Sequence, residues 1–397
     1  MFAKIREQRP QLIALLQDLI RIRSYTGEEK HIVEFVNRRM KDLKFDEIRI
    51  DKFGNAIGRV GDGPVKILYD AHLDTVKVTE EGNWRYPPFE GKITGGRIYG
   101  RGAVDEKPAM AGFLTAAGVM RRFSDDLPFT LYVAGSVMEE DYDGCPLLHL
   151  ISEEEIHPDY VVLGEPTDLK VYRGQRGRME IDISTSGISA HGAHSHEGVN
   201  AIYRMAPLIA EIEKLDRHLP VVPPFGKGSV TVSEISSRGP SRCSVPDRCR
   251  IHIDRRLALG ETRETALAEL QHLANRLGLE VDVQVSLLQG KSWTGHNFSQ
   301  EGYFPPWITD AQHPLVRAAA ATAGTIGAQT ETDGFWQFST NGVATAGHLG
   351  IPTIGFAPGR EALAHTAQEV LELEDLVTAT RFYCLLPFLL AESLNIA

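Results

Sequence analysis

A histidine and an aspartate two positions apart, His72 and Asp74 in Asp70-Ala71-His72-Leu73-Asp74-Thr75-Val76, close the apolar run Val65-Lys66-Ile67-Leu68-Tyr69. That run reads as a buried strand, which places the pair just past a strand end, where α/β proteins collect ligands and chemistry. Residues two apart in extended chain point the same way. The spacing therefore allows an imidazole on a metal ion with a carboxylate holding its other ring nitrogen. His-x-Asp is frequent by chance, so its weight depends on the acidic residues and the histidine further along the chain. Asp105 precedes a predicted helix, Glu139 and Glu140 follow one strand, Glu165 follows another, and His365 comes late. Two histidines with several carboxylates suit a hard-to-borderline divalent ion, zinc above all, with cobalt or manganese as the other choices. One catalytic zinc needs only three protein ligands plus water. A set of five ligands fits two ions about 3.5–4 Å apart that share a bridging carboxylate.

Glu139 and Glu140 are informative as a pair. Adjacent side chains diverge, so one can bind an ion while the other serves as general base. Each residue also has an ordinary reading. The glutamates could form a solvated turn, Asp105 could cap a helix, Glu165 could cap a turn, and His365 is one of 14 histidines. Their joint placement at element ends is what favours the metal.

The elements that must position them are legible in outline. Leu12, Leu15, Leu16 and Leu19 form a helical stripe; Thr26-Gly27-Glu28-Glu29 has capping-box spacing before a second stripe, Ile32, Phe35, Val36, Met40 and Leu43. Strands are expected at 47–51, 56–60, 65–70, 129–136 and 160–163, and a helix at 107–122 with Pro108 in its first turn. The middle alternates apolar and polar residues at 178–185, 229–236 and 248–254. Two helical stripes and a last strand at 279–287 complete a β-α-β-β-α-β order, the ferredoxin-like pattern. This unit is placed at 179–290, inserted between two parts of a larger α/β domain, 1–178 and 291–397. Residues 291–310 read as a linker or pocket wall, followed by a helix near 314–323 and a strand near 352–356.

A chain of 397 residues is too long for one ordinary core. Its net charge of −11 argues against nucleic acid or an anionic membrane as the main partner. Gln17 and Asp18 interrupt the N-terminal apolar stretch, and no run approaches the roughly 18 residues of a membrane span. The expected setting is the cytoplasm, and Cys145, Cys243, Cys249 and Cys384 are expected as free thiols. Nucleotide binding by the glycine-rich stretch 95–102 is disfavoured, because no Gly-Lys-Ser/Thr comes after it.

Five separated motifs carry a resemblance: Asp70 to Val76, Gly100-Arg101-Gly102-Ala103-Val104-Asp105, Glu139-Glu140-Asp141, Gly164-Glu165-Pro166-Thr167 and Ala364-His365-Thr366. In order and over nearly the whole chain, they resemble the dizinc amidohydrolase family of acetylornithine deacetylase, succinyl-diaminopimelate desuccinylase and the glutamate carboxypeptidases. The resemblance implies a zinc-peptidase-like catalytic domain, a mixed central sheet flanked by helices, with an inserted ferredoxin-like lid and dimerisation domain. It implies that Asp105 bridges two Zn2+ ions, that His72 and Glu165 hold one, and that Glu140 and His365 hold the other. Asp74 would orient His72, and Glu139 would be the general base. The peptide Asp105–Glu106 is expected to be cis.

Ser189-Ala190-His191-Gly192 matches the family position whose histidine stabilises the oxyanion, often from the partner subunit of a homodimer. The trio His191, His194 and His196 could instead form a separate metal site. Asn200 and Arg256 match positions that bind substrate carbonyl or carboxylate, and Asn341 occupies the late glycine-rich stretch where many members carry Ser-Asp or Thr-Asp. That stretch, together with 172–180, Trp293-Thr294-Gly295 and Tyr303-Phe304-Pro305, is similar to a subgroup of selenium-metabolism hydrolases. The substrate implied is a small-molecule N-acyl amino acid or dipeptide. Carbamoyl or ureido compounds, or a catalytically silent scaffold of the same fold, are the alternatives.

Overall fold

The computed structural model describes residues 1–79, 81–124, 126–154 and 156–395. Helices α1 (Phe2–Glu7), α2 (Arg9–Arg21) and α3 (Lys30–Asp42) lead into strands β1 (Glu47–Ile50), β2 (Ala56–Val60) and β3 (Val65–His72). The central helix α4 (Lys107–Phe123), β4 (Phe129–Ser136), α5 (Cys145–Glu153), β5 (Tyr160–Leu163) and β6 (Tyr172–Gln175) come next. The chain then enters a second sheet through β7 (Gly177–Ser186), α6 (Ala201–His218), β8 (Ser229–Arg238), β9 (Arg248–Leu257), α7 (Arg263–Arg276) and β10 (Asp282–Val285). It returns through β11 (Leu287–Lys291), β12 (Asn297–Glu301), β13 (Tyr303–Phe304), β14 (Trp307–Ile308), α8 (Pro314–Ile326), β15 (Gly334–Trp336), β16 (Thr353–Gly355) and α9 (Leu373–Ser393).

The large sheet runs β1-β2-β4-β3-β5-β16-β6-β14, with β15 beside β6. It is mixed: β3 pairs parallel with β4 and β5, whereas β1·β2 and β2·β4 are antiparallel. β3 is buried at every position but Lys66, as a central strand covered on both faces should be. One of those covers is α4, whose small residues let it sit deep. A Cβ on Gly112 would lie 2.7 Å from the Tyr383 ring of α9. By length and composition α9 could cross a bilayer, but here Leu376, Phe382, Tyr383 and Leu390 bury it in the core. Lys107, fully buried, donates to the carbonyls of Leu19 and Ile22 and ties the end of α2 to the start of α4.

The second sheet runs β8-β9-β7-β10, with β13 beside β7. β7 alternates buried and half-buried residues along nearly its whole length. Its buried Met179, Ile181 and Ile183 pack with Met205, Leu208 and Ile212 of α6 and Leu270 and Leu273 of α7, a core separate from the main one. This is the β-α-β-β-α-β arrangement, covered on one face by two helices.

Several boundaries differ from the sequence reading. β3 extends through His72, because its ladder with β4 runs to the pair His72–Ser136. The strand expected at 279–287 breaks at Ser286, whose N–H bonds to Glu180, and residues 287–291 turn away to pair with 297–301. The expected linker is therefore largely a hairpin. Trp293, in the turn joining its strands, donates to the Gly54 carbonyl at 3.1 Å. β13 belongs to the second sheet, beyond the expected boundary at 290. Thr26 does not cap α3: its hydroxyl donates to Asp74 at 2.9 Å.

Candidate metal centre

Three parallel strands deliver the site. Because β3, β4 and β5 end at one edge, His72, the turn after Ser136 and Glu165 leave the sheet side by side. His72 Nε2 lies 2.9 Å from Asp105 Oδ1, and His365 Nε2 lies 3.1 Å from Asp105 Oδ2. Each oxygen of one carboxylate thus faces one imidazole. Glu165 lies 3.8 Å from His72 Nε2, and Glu140 2.9 Å from His365 Nε2. Donors about 2.0–2.1 Å from a shared tetrahedral ion stand roughly 3.3 Å apart, and these separations bracket that value.

The electrostatics also call for cations. Asp105, Glu106, Glu139 and Glu165 are all buried. Burial, then neighbouring carboxylates, pushes Glu165 well above the usual carboxylate range; burial does the same to Glu139 and Glu106. Burial opposes ionisation of Asp105 too, but hydrogen bonds from His365 and His72 overcome it and hold its pKa below the usual value. Glu139 Oε1 and Glu106 Oε2 are buried oxygens with no hydrogen-bond partner among the described residues. The carboxylates of Asp105, Glu165 and Glu140 facing two imidazoles are a donor set that two divalent ions would satisfy. His72, Asp105, Glu140, Glu165 and His365 are the residues that fit them.

Surrounding contacts hold the ligands. The Asp74 backbone carbonyl accepts from His72 Nδ1 at 3.0 Å, while its carboxylate stands 3.6 Å from that nitrogen. That carboxylate mainly accepts the N–H groups of Glu139 at 3.0 Å and Glu140 at 3.1 Å. Asp74 therefore orients His72 with its backbone and the glutamate turn with its side chain. Glu369 accepts from Arg101 at 3.1 Å, Gly102 N at 2.7 Å and Asp105 N at 3.3 Å, which fixes the loop before the bridging carboxylate. The Asp105–Glu106 peptide is cis, and Glu106 accepts the His72 N–H.

A cavity of about 370 Å³ opens from this cluster. Its lining includes Glu139, Glu140, Glu165 and His365 together with Asp143, Arg178, Arg256, Ser339 and Glu361. Arg256, in this lining, is bidentate to Asp254 at 2.8 and 3.0 Å. Arg178 bonds to Asp143 and Glu180 and lies 4.2 Å over the Phe304 ring. Sequence reasoning misses Asp143 and Arg178, although Arg178 opens a clearly alternating strand.

Three expected residues lie elsewhere. Asn341 is buried and committed: its Nδ2 donates to Asp70 at 2.8 Å and Ser136 at 2.9 Å, and its Oδ1 accepts Gly144 N at 2.9 Å. Both Nδ2 hydrogens are spent and the side chain is buried outside the cavity lining, so the structure presents Asn341 as a brace behind the site. Asn200 caps α6 with its Oδ1. His191 is exposed, outside the cavity within this chain, and its Nδ1 accepts Ala193 N. Among the described residues, the His191, His194 and His196 trio does not converge into a metal-ligand group. Cys145, at the start of α5, is pushed up to about 12 by burial, which makes it a poor nucleophile.

Comparison with known proteins agrees with the geometry. Residues 68–387 match the model of peptidase family M20/M25/M40. The protein YgeY of Escherichia coli strain K12 is 40% identical over 385 residues, covering 97% of this chain and 95% of that protein. The succinyl-diaminopimelate desuccinylase of Marinobacter nauticus is 26% identical over 391 residues, covering 94% and 96%. The crystal structure of the Bacillus subtilis YXEP protein, a dinuclear metal binding peptidase, superposes with a TM-score of 0.73 at 14% identity, covering 98% of this chain and 99% of that one. This chain belongs to peptidase family M20/M25/M40.

Proposed function

We propose that this protein hydrolyses the linear amide bond of a small N-acyl amino acid or dipeptide, with Glu139 as general base. The observation that carries this reading is the division of Asp105 between His72 and His365, with a buried Glu139 oxygen that has no hydrogen-bond partner among the described residues. Two divalent ions held there, Zn2+ first and Co2+ or Mn2+ otherwise, would polarise a carbonyl and lower the pKa of a water toward about 7.

The side chains do the rest. Glu139 accepts a proton from the attacking water and returns it to the departing nitrogen as the C–N bond breaks. Burial raises the proton affinity of its carboxyl above that of an ordinary glutamate. Arg256, in the cavity lining, binds a substrate carboxylate in competition with Asp254. His191 is exposed on the second domain, a position from which it serves the site of a partner subunit in a homodimer and stabilises the oxyanion there. The second domain is then both lid and dimer contact.

The test is a panel of N-acetyl and N-succinyl amino acids, dipeptides and ureido acids, with metal analysis, chelator and Glu139→Ala. Hydrolysis that chelator abolishes, added metal restores and Glu139→Ala nearly eliminates is the expected result. Full turnover by Glu139→Ala on any substrate in the panel would remove Glu139 from the role.

A further inference from the structure

The base sits on an unusual stretch of backbone. β4 ends at Ser136, and the chain must reverse almost at once to aim Glu139 into the cavity. The reversal is made at Met138, which is not glycine yet has φ 58°. Left-handed backbone at a bulky residue persists only where its surroundings over-determine it. Here four consecutive N–H groups each meet a side-chain acceptor. Val137 donates to Asn55 at 3.0 Å, Met138 to Glu29 at 3.0 Å, and Glu139 and Glu140 to the two oxygens of Asp74 at 3.0 and 3.1 Å. Asp74 belongs to the centre already described. Glu29 does not: it is fully buried, comes from the loop before α3, and also accepts Gly27 N at 2.8 Å.

We infer that Glu29 is a positioning residue for catalysis, which fixes the aim of Glu139 by holding the Met138 amide at the point where the chain reverses. This rests on the reading of Glu139 as the base. Without the Glu29 oxygen, the buried Met138 N–H loses the acceptor that holds it, and the reversal relaxes toward ordinary backbone. Glu139 then loses its alignment, while His72 and Asp105 stay held by Asp74 and Glu369, and Glu140 N stays bonded to Asp74.

Glu29→Met keeps the length of the side chain and removes the acceptor; Glu29→Gln keeps the acceptor and removes the charge. On the N-acyl amino acid or dipeptide that the parent turns over, Glu29→Met is expected to lower kcat on the order of 10²-fold, with KM within about twofold, as misplacement of a reacting group does. Metal content should match the parent. Glu29→Gln should hold kcat within about threefold, since its oxygen can accept the same two N–H groups. Hydrogen exchange at the 138–140 amides, which needs no substrate, should accelerate about tenfold in Glu29→Met and not in Glu29→Gln. If Glu29→Met does not fold, Glu29→Asp, charged but too short to reach both amides, should show the same loss of kcat and of protection. Parental kcat and parental exchange in Glu29→Met or Glu29→Asp, with Glu139→Ala inactive, would overturn the inference. Equal losses in Glu29→Gln and Glu29→Met would overturn it too, since charge rather than position would then be responsible. Full turnover in Glu139→Ala would instead count against the base assignment on which it rests.

Discussion

The edge of the large sheet and the 191–200 segment of the second domain treat their polar residues in opposite ways. At the sheet edge, His72, Asp105 and Glu165 are buried and converge, and Asp74, Glu106 and Glu369 hold the loops that carry them. In the second domain, His191 and Asn200 bond to their own local backbone and lie outside the cavity. The candidate ligand cluster at the strand ends is drawn from one chain. A residue presented on an exposed loop becomes functional only through something that loop can reach.

The largest expected effect strikes the strand-end cluster. Asp105→Ala deprives both histidines of their shared carboxylate, so dialysed protein should lose metal and all turnover, as read by elemental analysis and the substrate panel. Next is Glu139→Ala, which should retain metal and fold while kcat falls by about 10²–10⁴. If these two variants behaved alike in metal content, the separation of ligand from base would be wrong.

The role of the exposed loop is sharpened by complementation. His191→Ala alone should lower kcat by about 10²–10³, the usual cost of an oxyanion donor. Mixing unfolded and refolded His191→Ala and Glu139→Ala chains should restore activity, because one mixed site then carries both residues. No recovery in verified mixed dimers would place His191 outside the reaction. Arg256→Ala should raise KM by about 10–100-fold for substrates with a free carboxylate, equivalent to ~1.5–3 kcal/mol for a charged hydrogen bond. The matching carboxamide substrates should be affected far less.

The smallest effect concerns protons. In the metal-free chain, hydrogen bonds to Asp105 and Glu140 raise His365 to about 10, and burial raises Glu165. His365 is then protonated at neutral pH, and a ligand must shed its proton. Metal loading should therefore release protons, and apparent affinity should rise with pH. Calorimetry in two buffers of different ionisation enthalpy measures this; zero net release would contradict it.

How far the sequence reveals this depends on the kind of residue. His72, Glu139, Glu140 and Glu165 come after apolar runs that read as strands, so their placement at element ends is legible from residue order, while their assignment to two ions comes from the family resemblance. The ferredoxin-like order is legible too, because β7 and β9 keep strict alternation. Asn341 misleads because a polar residue in a glycine-rich stretch looks the same whether its amide meets substrate or meets Asp70, Ser136 and Gly144. Thr26 misleads for a similar reason. Capping-box spacing predicts a local bond, and the hydroxyl instead goes to Asp74, 48 positions along the chain. The hairpin at 287–301 is hidden because its strands are short and its turn is aromatic, and Trp293 is held by Gly54 from the other end of the chain. Non-local partners are what local pattern cannot show.

The proposed chemistry stands or falls on five side chains holding two divalent ions beside a carboxylate base. Elemental analysis of purified protein, paired with chelator-sensitive hydrolysis of an acyl amino acid or dipeptide, reads that arrangement without an intermediate assumption. Two ions per chain, with activity lost on chelation and regained on reloading, is the predicted result. Hydrolysis that survives complete removal of metal would contradict it.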